Sequence, residues 1–164
     1  MTRSVQAFLP VSGGINPLLA AFGQDPGRWL PHARRDGAQR WTVPLHAGAI
    51  SRTVIVAVGL PWRAGSTTWR TIAWDPEPEE HDALHVDRFL PSFDGEIGLA
   101  VASGTGSTSG SATLIIDGRY APPGGMLGQA LDAVALHRVA QGTVERFLAE
   151  VASQLTAESL LVTR

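Results

Sequence analysis

The last third of the chain predicts an extended strand, a short turn and a long helix in direct succession. Residues 112–119 (Ala-Thr-Leu-Ile-Ile-Asp-Gly-Arg) are typical of a strand, and two prolines and two glycines at 122–125 end it. An amphipathic pattern then runs to about Leu155. A helix of about 28 residues would be about 40 Å long. Since this exceeds the length of every predicted strand, we expect the helix to lie across several strands of one sheet.

The composition is that of one globular domain spanning residues 1–164. Apolar residues make up 44% of the chain and charged residues 17%, which argues against disorder. The net charge is −2 without a basic stripe, so no nucleic-acid partner is expected. The absence of cysteine excludes disulfides and thiolate sites. No signal peptide or integral membrane segment is recognisable, which makes a cytoplasmic location the default expectation.

The remaining elements predict an α+β fold. A first strand is expected at residues 5–9, and two helix starts follow, each with a capping residue before a proline, at Asn16 and Asp25. Further strands are expected at residues 39–45, 50–58, 67–74, 86–90 and 95–102. Strands in this order, preceded by two short helices and followed by a long one, favour an antiparallel sheet with its helices on one face.

Three segments resemble a known superfamily. They are residues 25–31 (Asp-Pro-Gly-Arg-Trp-Leu-Pro), residues 89–96 (Phe-Leu-Pro-Ser-Phe-Asp-Gly-Glu), and residues 118–125 together with Asp132 and residues 137–140. The chain is similar in these segments to actinobacterial members of the START-like superfamily, also called SRPBCC or polyketide cyclase/dehydrase-like proteins. The resemblance implies a helix-grip fold, in which a curved antiparallel sheet wraps around a long C-terminal helix and encloses a cavity. Members of the superfamily bind lipids, sterols, polyketides or hormones, and some are aromatases or cyclases.

The function expected from this resemblance is the binding or carriage of a hydrophobic small molecule, such as a lipid or a polyketide-like compound. No cofactor is expected, and the oligomeric state is left open. Apolar and aromatic side chains on strands and on the long helix are the expected contact surface. The residues predicted to line the cavity are Trp41, Val54, Val56, Trp74, Phe93, Leu114, Ile116, Leu131, Ala135 and Phe147.

Two alternative functions remain open at this stage. A polyketide cyclase or aromatase would need an acid/base group in the cavity, and His137 with Arg119 is the available pair. The simpler interpretation, which we favour, pairs Arg119 with a surface carboxylate. A protein-binding module would instead receive a partner segment in its concave groove. The position of His137 relative to an apolar cavity distinguishes these functions.

Two further motifs are not expected to carry chemistry. His81 and His85 have a spacing that could hold a metal on a helix, but their acidic surroundings are typical of an exposed loop. No metal site is therefore expected. The glycine-rich residues 104–110 lack the lysine of a phosphate-binding loop and lead into a strand, which is typical of a hairpin turn. No nucleophile elbow is present in the sequence.

Overall fold

The structure, a computed structural model, describes residues 2–75, 90–102, 110–121 and 133–162. These residues form an α+β fold with an eight-stranded sheet. The strands are β1 (Arg3–Val11), β2 (Arg34–Gly37), β3 (Arg40–Ala47), β4 (Ile50–Val58), β5 (Trp62–Ala64), β6 (Thr67–Asp75), β7 (Ser92–Ala102) and β8 (Ser111–Ala121). The helices are α1 (Ile15–Gly23), a 3-10 turn (Pro26–Arg28) and α2 (Ala133–Val162). The predicted fold class, a curved antiparallel sheet with a long C-terminal helix, is confirmed.

The sheet has the strand order β1-β8-β7-β6-β4-β3-β2, and every pairing is antiparallel. Strand β6 changes partner along its length. Its first residues, from Thr67 to Trp69, pair with β5, whereas residues 72–75 pair with residues 55–58 of β4. This short β4–β6 pairing is the seam that joins β2, β3 and β4 to the rest of the sheet.

Helix α2 lies on one face of the sheet, which we call the inner face; the opposite face is the outer face. Burial alternates along the strands, as the pattern of β3 shows, because successive side chains point to opposite faces. The buried side of α2 carries residues at helical spacing. These are Ala140, Thr143, Val144, Phe147, Leu148, Val151, Ala152, Leu155 and Ser159. The helix also covers the β1 edge, because the Gln141 side-chain amide donates to the Gln6 carbonyl at 3.0 Å.

A buried arginine attaches α1 to the sheet. Arg70 on β6 is 3% exposed, and its guanidinium donates to three backbone carbonyls. Nε and Nη2 reach the Phe22 carbonyl at 3.2 and 3.0 Å, Nη2 reaches Gln24 at 2.8 Å, and Nη1 reaches Gly59 at 3.0 Å. Phe22 and Gln24 lie at the C-terminal end of α1, where carbonyls lack helical partners and a positive charge is favoured. Burial lowers the pKa of Arg70, and the nearby Asp25 carboxylate partly opposes this effect.

Helix boundaries differ from the sequence-based expectations in two places. Helix α1 begins at Ile15 with Gly14 as its cap, not Asn16, because the Gly14 carbonyl already accepts the first helical bond from Leu18 at 3.0 Å. Pro17 remains within the first turn, where a missing amide hydrogen costs nothing. Helix α2 continues to Val162, seven residues past the expected end at Leu155. The predicted cap at Asp25 is confirmed.

Strand predictions are confirmed for β1, β3, β4, β6, β7 and β8, with ends shifted by up to three residues. Two strands were missed. β2 and β5 have four and three residues, and neither contains a β-branched residue. Their pairing with neighbouring strands, rather than their own composition, makes them strands. Most of the strand predicted at residues 86–90, the proline–glycine joint and the glycine-rich turn at 103–109 lie outside the described residues, as do His81 and His85.

We expect Arg70→Met to destabilise the protein by about 3–5 kcal/mol, because one buried and two partly buried carbonyls lose their donors. For a chain of this size the corresponding fall in Tm is on the order of 10 °C. Thermal unfolding followed by circular dichroism measures it. Arg63→Met, at an exposed position of β5, is the matched control and should change stability by no more than about 0.5 kcal/mol. Equal effects of the two substitutions would contradict the structural role of Arg70.

The Asp25 carboxylate stabilises the connection after α1. It accepts a hydrogen bond from the Gly27 amide at 2.8 Å and pairs with Arg35. Partial burial by itself raises the pKa of Asp25, but these bonds together outweigh it, and the pKa lies below the ordinary value. Asp25 therefore stabilises the fold fully above the pKa of the unfolded chain, about 3.9, and less as the pH falls through the lower pKa of the folded state.

Asp25→Asn tests this dependence, because asparagine keeps the cap and removes the charge. We expect wild type to exceed the variant in unfolding free energy by a constant amount between about pH 7 and 5, and the difference to shrink below about pH 4. Urea unfolding at a series of pH values measures it. A difference that grows as the pH falls would have the wrong sign for a lowered pKa.

Candidate functional site

A row of large side chains crosses the inner face of the sheet over five strands. In this row Trp41 pairs with Val56, Val56 with Trp74, Trp74 with Phe93, and Phe93 with Tyr120. We call these five residues the inner aromatic row. All five are buried. Because directly opposed residues on neighbouring strands lie about 5 Å apart, their side chains form one continuous apolar surface beneath α2.

Aromatic contacts connect the centre of this row to α2. The rings of Trp74 and Phe93 are stacked with centroids 4.4 Å apart. Phe147 on α2 meets Trp74 in a tilted arrangement at 5.3 Å. The Trp74 indole N–H donates to the Pro91 carbonyl at 3.1 Å, so its one polar group is satisfied although the residue is buried. The row and the helix are therefore in direct contact at this point.

Phe93 lies over a pair of glycines. Gly95 on β7 pairs with Gly118 on β8. Gly95 follows Phe93 of the inner aromatic row by two positions, and Gly118 precedes Tyr120 by two positions. A Cβ atom built at Gly118 would lie 2.6 Å from the Phe93 Cζ atom, and one at Gly95 would lie 2.9 Å from it. Any side chain at either position would collide with the ring. The glycines thus leave a space on the inner face, and the Phe93 ring fills it.

Tyr120 and His137 form the polar end of the row. The Tyr120 hydroxyl and His137 Nδ1 are 3.1 Å apart and share a hydrogen bond. The His137 ring is otherwise exposed. Arg119, next to Tyr120 in β8, points to the outer face and is exposed, as is Asp117. The sheet therefore separates Arg119 from His137, and the acid/base pair that a cyclase would require is not formed by these two residues.

A pocket of about 590 Å³ opens on the outer face of the sheet, where the end of β6 meets the start of β7. On the outer face a register row runs from Arg40 through Ala57 and Ala73 to Asp94 and Arg119. The pocket is lined by Thr2, Arg40, Ile55, Ala57, Ala73, Trp74, Asp75, Ser92, Phe93, Asp94, Arg119 and Ala121. Trp74 and Phe93 belong both to this lining and to the inner row. The expected ion pair of Arg119 with a surface carboxylate is not formed within the described residues, although Asp94 lies directly opposite on β7.

Eight of the ten residues predicted to line the cavity are buried, on the inner face of the sheet or on α2. They are Trp41, Val54, Val56, Trp74, Phe93, Leu114, Ile116 and Phe147. Four of these, Trp41, Val56, Trp74 and Phe93, fall in the inner aromatic row. Ala135 is exposed, because burial of α2 against the sheet begins at Ala140. Leu131 lies outside the described residues.

Sequence reasoning missed two features of this site. The first is Tyr120, which the pattern marks as the end of a strand and not as a member of the row; its place two residues after Gly118 on the apolar side of the alternation was the available signal. The second is the glycine pair. Its formation depends on the register between β7 and β8, and residues more than twenty positions apart give no local sign of it.

Comparisons with known proteins give information on the fold alone. No protein-family model matches the sequence, and no curated protein matches it. Among solved structures, the chain is similar to TTHA0849 from Thermus thermophilus, with a TM-score of 0.54 and 14% identity over 94% of this chain and 98% of the other. A conserved protein from Geobacillus kaustophilus gives a TM-score of 0.53 and 8% identity over 96% of both chains. At these identities the likeness shows a shared sheet-and-helix architecture, compatible with a helix grip.

None of the helices in the part of the chain that the structure describes has the length and apolarity to cross a membrane. Within the same residues, His, Asp and Glu side chains do not gather in groups of three or more that could hold a metal ion.

A double-mutant cycle tests the bond at the polar end of the row. We expect Tyr120→Phe to cost about 1 kcal/mol of stability, because a partly buried hydrogen bond is lost without a change in shape. The double variant Tyr120→Phe/His137→Ala should lose less stability than the sum of the two single losses, by a similar amount. Urea unfolding of the four proteins at pH 7.5 measures the coupling. Strict additivity would mean that the hydroxyl and the ring do not interact in solution.

Proposed function

We propose that this protein binds a hydrophobic small molecule, such as a lipid or a polyketide-like compound, in the pocket of about 590 Å³ on the outer face of the sheet, whose lining also includes Trp74 and Phe93 of the inner aromatic row. The observation that carries the proposal is the position of Phe93. Its ring fills the space above Gly95 and Gly118, and the same residue lines the 590 Å³ pocket. We expect a ligand group with the shape of an aromatic ring or a short alkyl chain to take the place of the Phe93 ring when that ring moves.

The volume of the pocket is large enough for a small-molecule ligand. Volumes of about 300–1,000 Å³ are typical of small-molecule sites in proteins. The small side chains of Ala57, Ala73 and Ala121 leave its floor open and apolar. The apolar part of the ligand would lie against these alanines and extend to Trp74 and Phe93 at the edge of the pocket.

Charged side chains at the pocket supply orientation. Arg40 and Arg119 occupy opposite ends of the register row, about 19 Å apart at four strand spacings, and Asp94 lies beside Arg119. A polar end group would be held at one end of this row, by Arg40 or by Arg119, while the apolar part contacts Ala57 and Ala73 between them. Burial of about 300 Å² of apolar ligand surface would contribute about 7 kcal/mol before the costs of association and of moving Phe93.

The enzymatic alternative has no comparable support. His137 bonds to Tyr120 at the inner face, and Arg119 lies on the other side of the sheet. We therefore propose carriage or binding, without a reaction.

Binding of the apolar fluorescent probe N-phenyl-1-naphthylamine tests the site. We expect Phe93→Ala to bind the probe at least about tenfold more tightly than wild type, because the energy of displacing the ring is no longer needed. Leu45→Ala, at an equally buried position of β3 outside the row, is the matched control for a core truncation of about 2–5 kcal/mol and should not tighten binding. Phe93→Leu is a milder second variant if Phe93→Ala folds poorly.

Native mass spectrometry of protein purified from its own host complements the probe. A co-purifying hydrophobic compound that is lost in a variant filling the pocket, Ala73→Trp, is the expected result. An empty wild-type protein, together with equal probe affinity in Phe93→Ala and Leu45→Ala, would overturn the proposal.

A further inference from the structure

Another pocket lies beside the buried Arg70. Its volume is about 360 Å³, and it is bounded by the segment that follows α1, the turn between β2 and β3, and the residues that follow β4. We call it the Arg70 pocket. It shares no lining residue with the pocket of about 590 Å³, so the two can hold different ligands.

Arg70 contributes one edge of its guanidinium to this pocket. Nη1 donates to the Gly59 carbonyl and Nη2 to the Gln24 carbonyl, and both Gly59 and Gln24 line the pocket. The Phe22 carbonyl accepts from Nε and from Nη2, and Phe22 does not line it. The Nε side of the guanidinium is therefore turned towards α1, and the edge formed by Nη1 and Nη2 borders the pocket.

One N–H group on that edge is available to a ligand. An arginine side chain has five N–H hydrogens. Phe22 accepts those of Nε and one of Nη2, Gln24 accepts the other of Nη2, and Gly59 accepts one of the two on Nη1. The second hydrogen of Nη1 has no acceptor among the residues that the structure describes. An oxygen atom that enters the pocket can accept it.

The positive charge of Arg70 has no ion-pair partner of its own. Its acceptors are neutral carbonyls, and within the described parts of the chain no carboxylate oxygen lies at ion-pair distance from it. Burial lowers the pKa of Arg70, and the Asp25 carboxylate is the charge that opposes this effect. Buried charges in proteins are normally paired, so an anion beside Arg70 would be stabilised.

Asp25 is already paired with another arginine. Its carboxylate bonds to Arg35 at the opening of the Arg70 pocket, where both side chains are exposed. The Arg35 guanidinium also lies over the Trp41 ring, with Cζ 5.5 Å from the ring centroid. Among the lining residues that the structure describes, one carboxylate therefore serves two guanidinium groups, and the pocket has a net charge of about one positive unit.

The remaining wall of the pocket is largely apolar. Pro26, Trp41, Val58 and Pro61 line it, and Leu60, which is 73% exposed, lies at its rim. The volume is near the lower end of the range of about 300–1,000 Å³ that is typical of small-molecule sites. The pocket therefore suits a compact ligand with an apolar body better than a long-chain lipid.

We propose that the Arg70 pocket binds a small monocarboxylate with a compact apolar body, such as an aromatic carboxylic acid. One carboxylate oxygen accepts from Arg70 Nη1, as in other charge-assisted bonds of arginine, and the apolar body contacts Trp41 and Leu60. A single negative charge matches the net charge of the pocket. A phosphate group, with about two negative charges at neutral pH, would be repelled more strongly by the Asp25 carboxylate.

A titration with benzoate, followed by ¹H–¹⁵N NMR of the whole chain, tests the proposal. Benzoate should shift the Arg70 Nε–H resonance and the backbone amides of Gln24 and Gly59. Benzamide has nearly the same shape without the charge, and it should bind at least about tenfold more weakly, because it cannot form an ion pair with the buried guanidinium.

Charge-changing variants show whether the pocket itself is the site. Asp25→Asn keeps the cap, removes the repelling charge and releases Arg35, so it should tighten benzoate binding about three- to tenfold without tightening that of benzamide. Arg35→Gln should weaken benzoate binding at least about threefold. Arg138→Gln, the same exchange at an exposed position of α2, is the matched control and should leave the dissociation constant unchanged.

Four results would overturn the carboxylate site. They are equal affinity for benzoate and benzamide, benzoate-induced shifts confined to residues outside the Arg70 pocket, an Asp25→Asn variant that does not bind benzoate more tightly, and tighter binding of inorganic phosphate than of benzoate. A well-dispersed spectrum of each variant confirms that it is folded.

Discussion

The close approach of β7 and β8 at the Gly95–Gly118 pair is the constraint on which the site depends. A Cβ atom at Gly118 would lie 2.6 Å from the Asp94 carbonyl oxygen and 2.6 Å from the Phe93 ring, so a side chain is excluded from both directions. The Phe93 ring can lie flat on the sheet because of this gap. Trp74 stacks on that ring, and Phe147 of α2 meets Trp74. The distance between helix and sheet at this point thus follows from the absence of two side chains.

The architecture was accessible from sequence because its elements carry strong local signals. The β-branched run of β4 was predicted with its observed ends, Ile50 and Val58. The cap at Asp25 was also recognised, since an aspartate before a proline determines local geometry with little help from distant contacts. Short elements such as β5 have no such signal, because a strand of three residues is defined by the neighbour it pairs with.

For the candidate site, the sequence predicted which residues take part but not how they are arranged. Trp41, Val56 and Trp74 were predicted to line a cavity because they are apolar or aromatic residues of expected strands, and the structure places all three in one row. What alternation cannot supply is register, which decides that Tyr120 completes the row and that two glycines meet. It also cannot show that Arg119 and His137 lie on opposite sides of the sheet, because one residue belongs to a strand and the other to a helix.

The seam between β4 and β6 divides the sheet into parts of unequal cohesion. Residues 55–58 and 72–75 hold β2, β3 and β4 to the remaining strands, whereas β7 and β8 pair over eleven positions. Local opening requires less free energy where fewer ladder bonds must break, so the three-stranded unit separates from β6 more readily than β7 separates from β8. Ile55 and Ala57 border the pocket on one side of this seam, and Ala73 and Asp75 on the other. Opening of this seam would widen the pocket and would give the inner face a transient route to solvent.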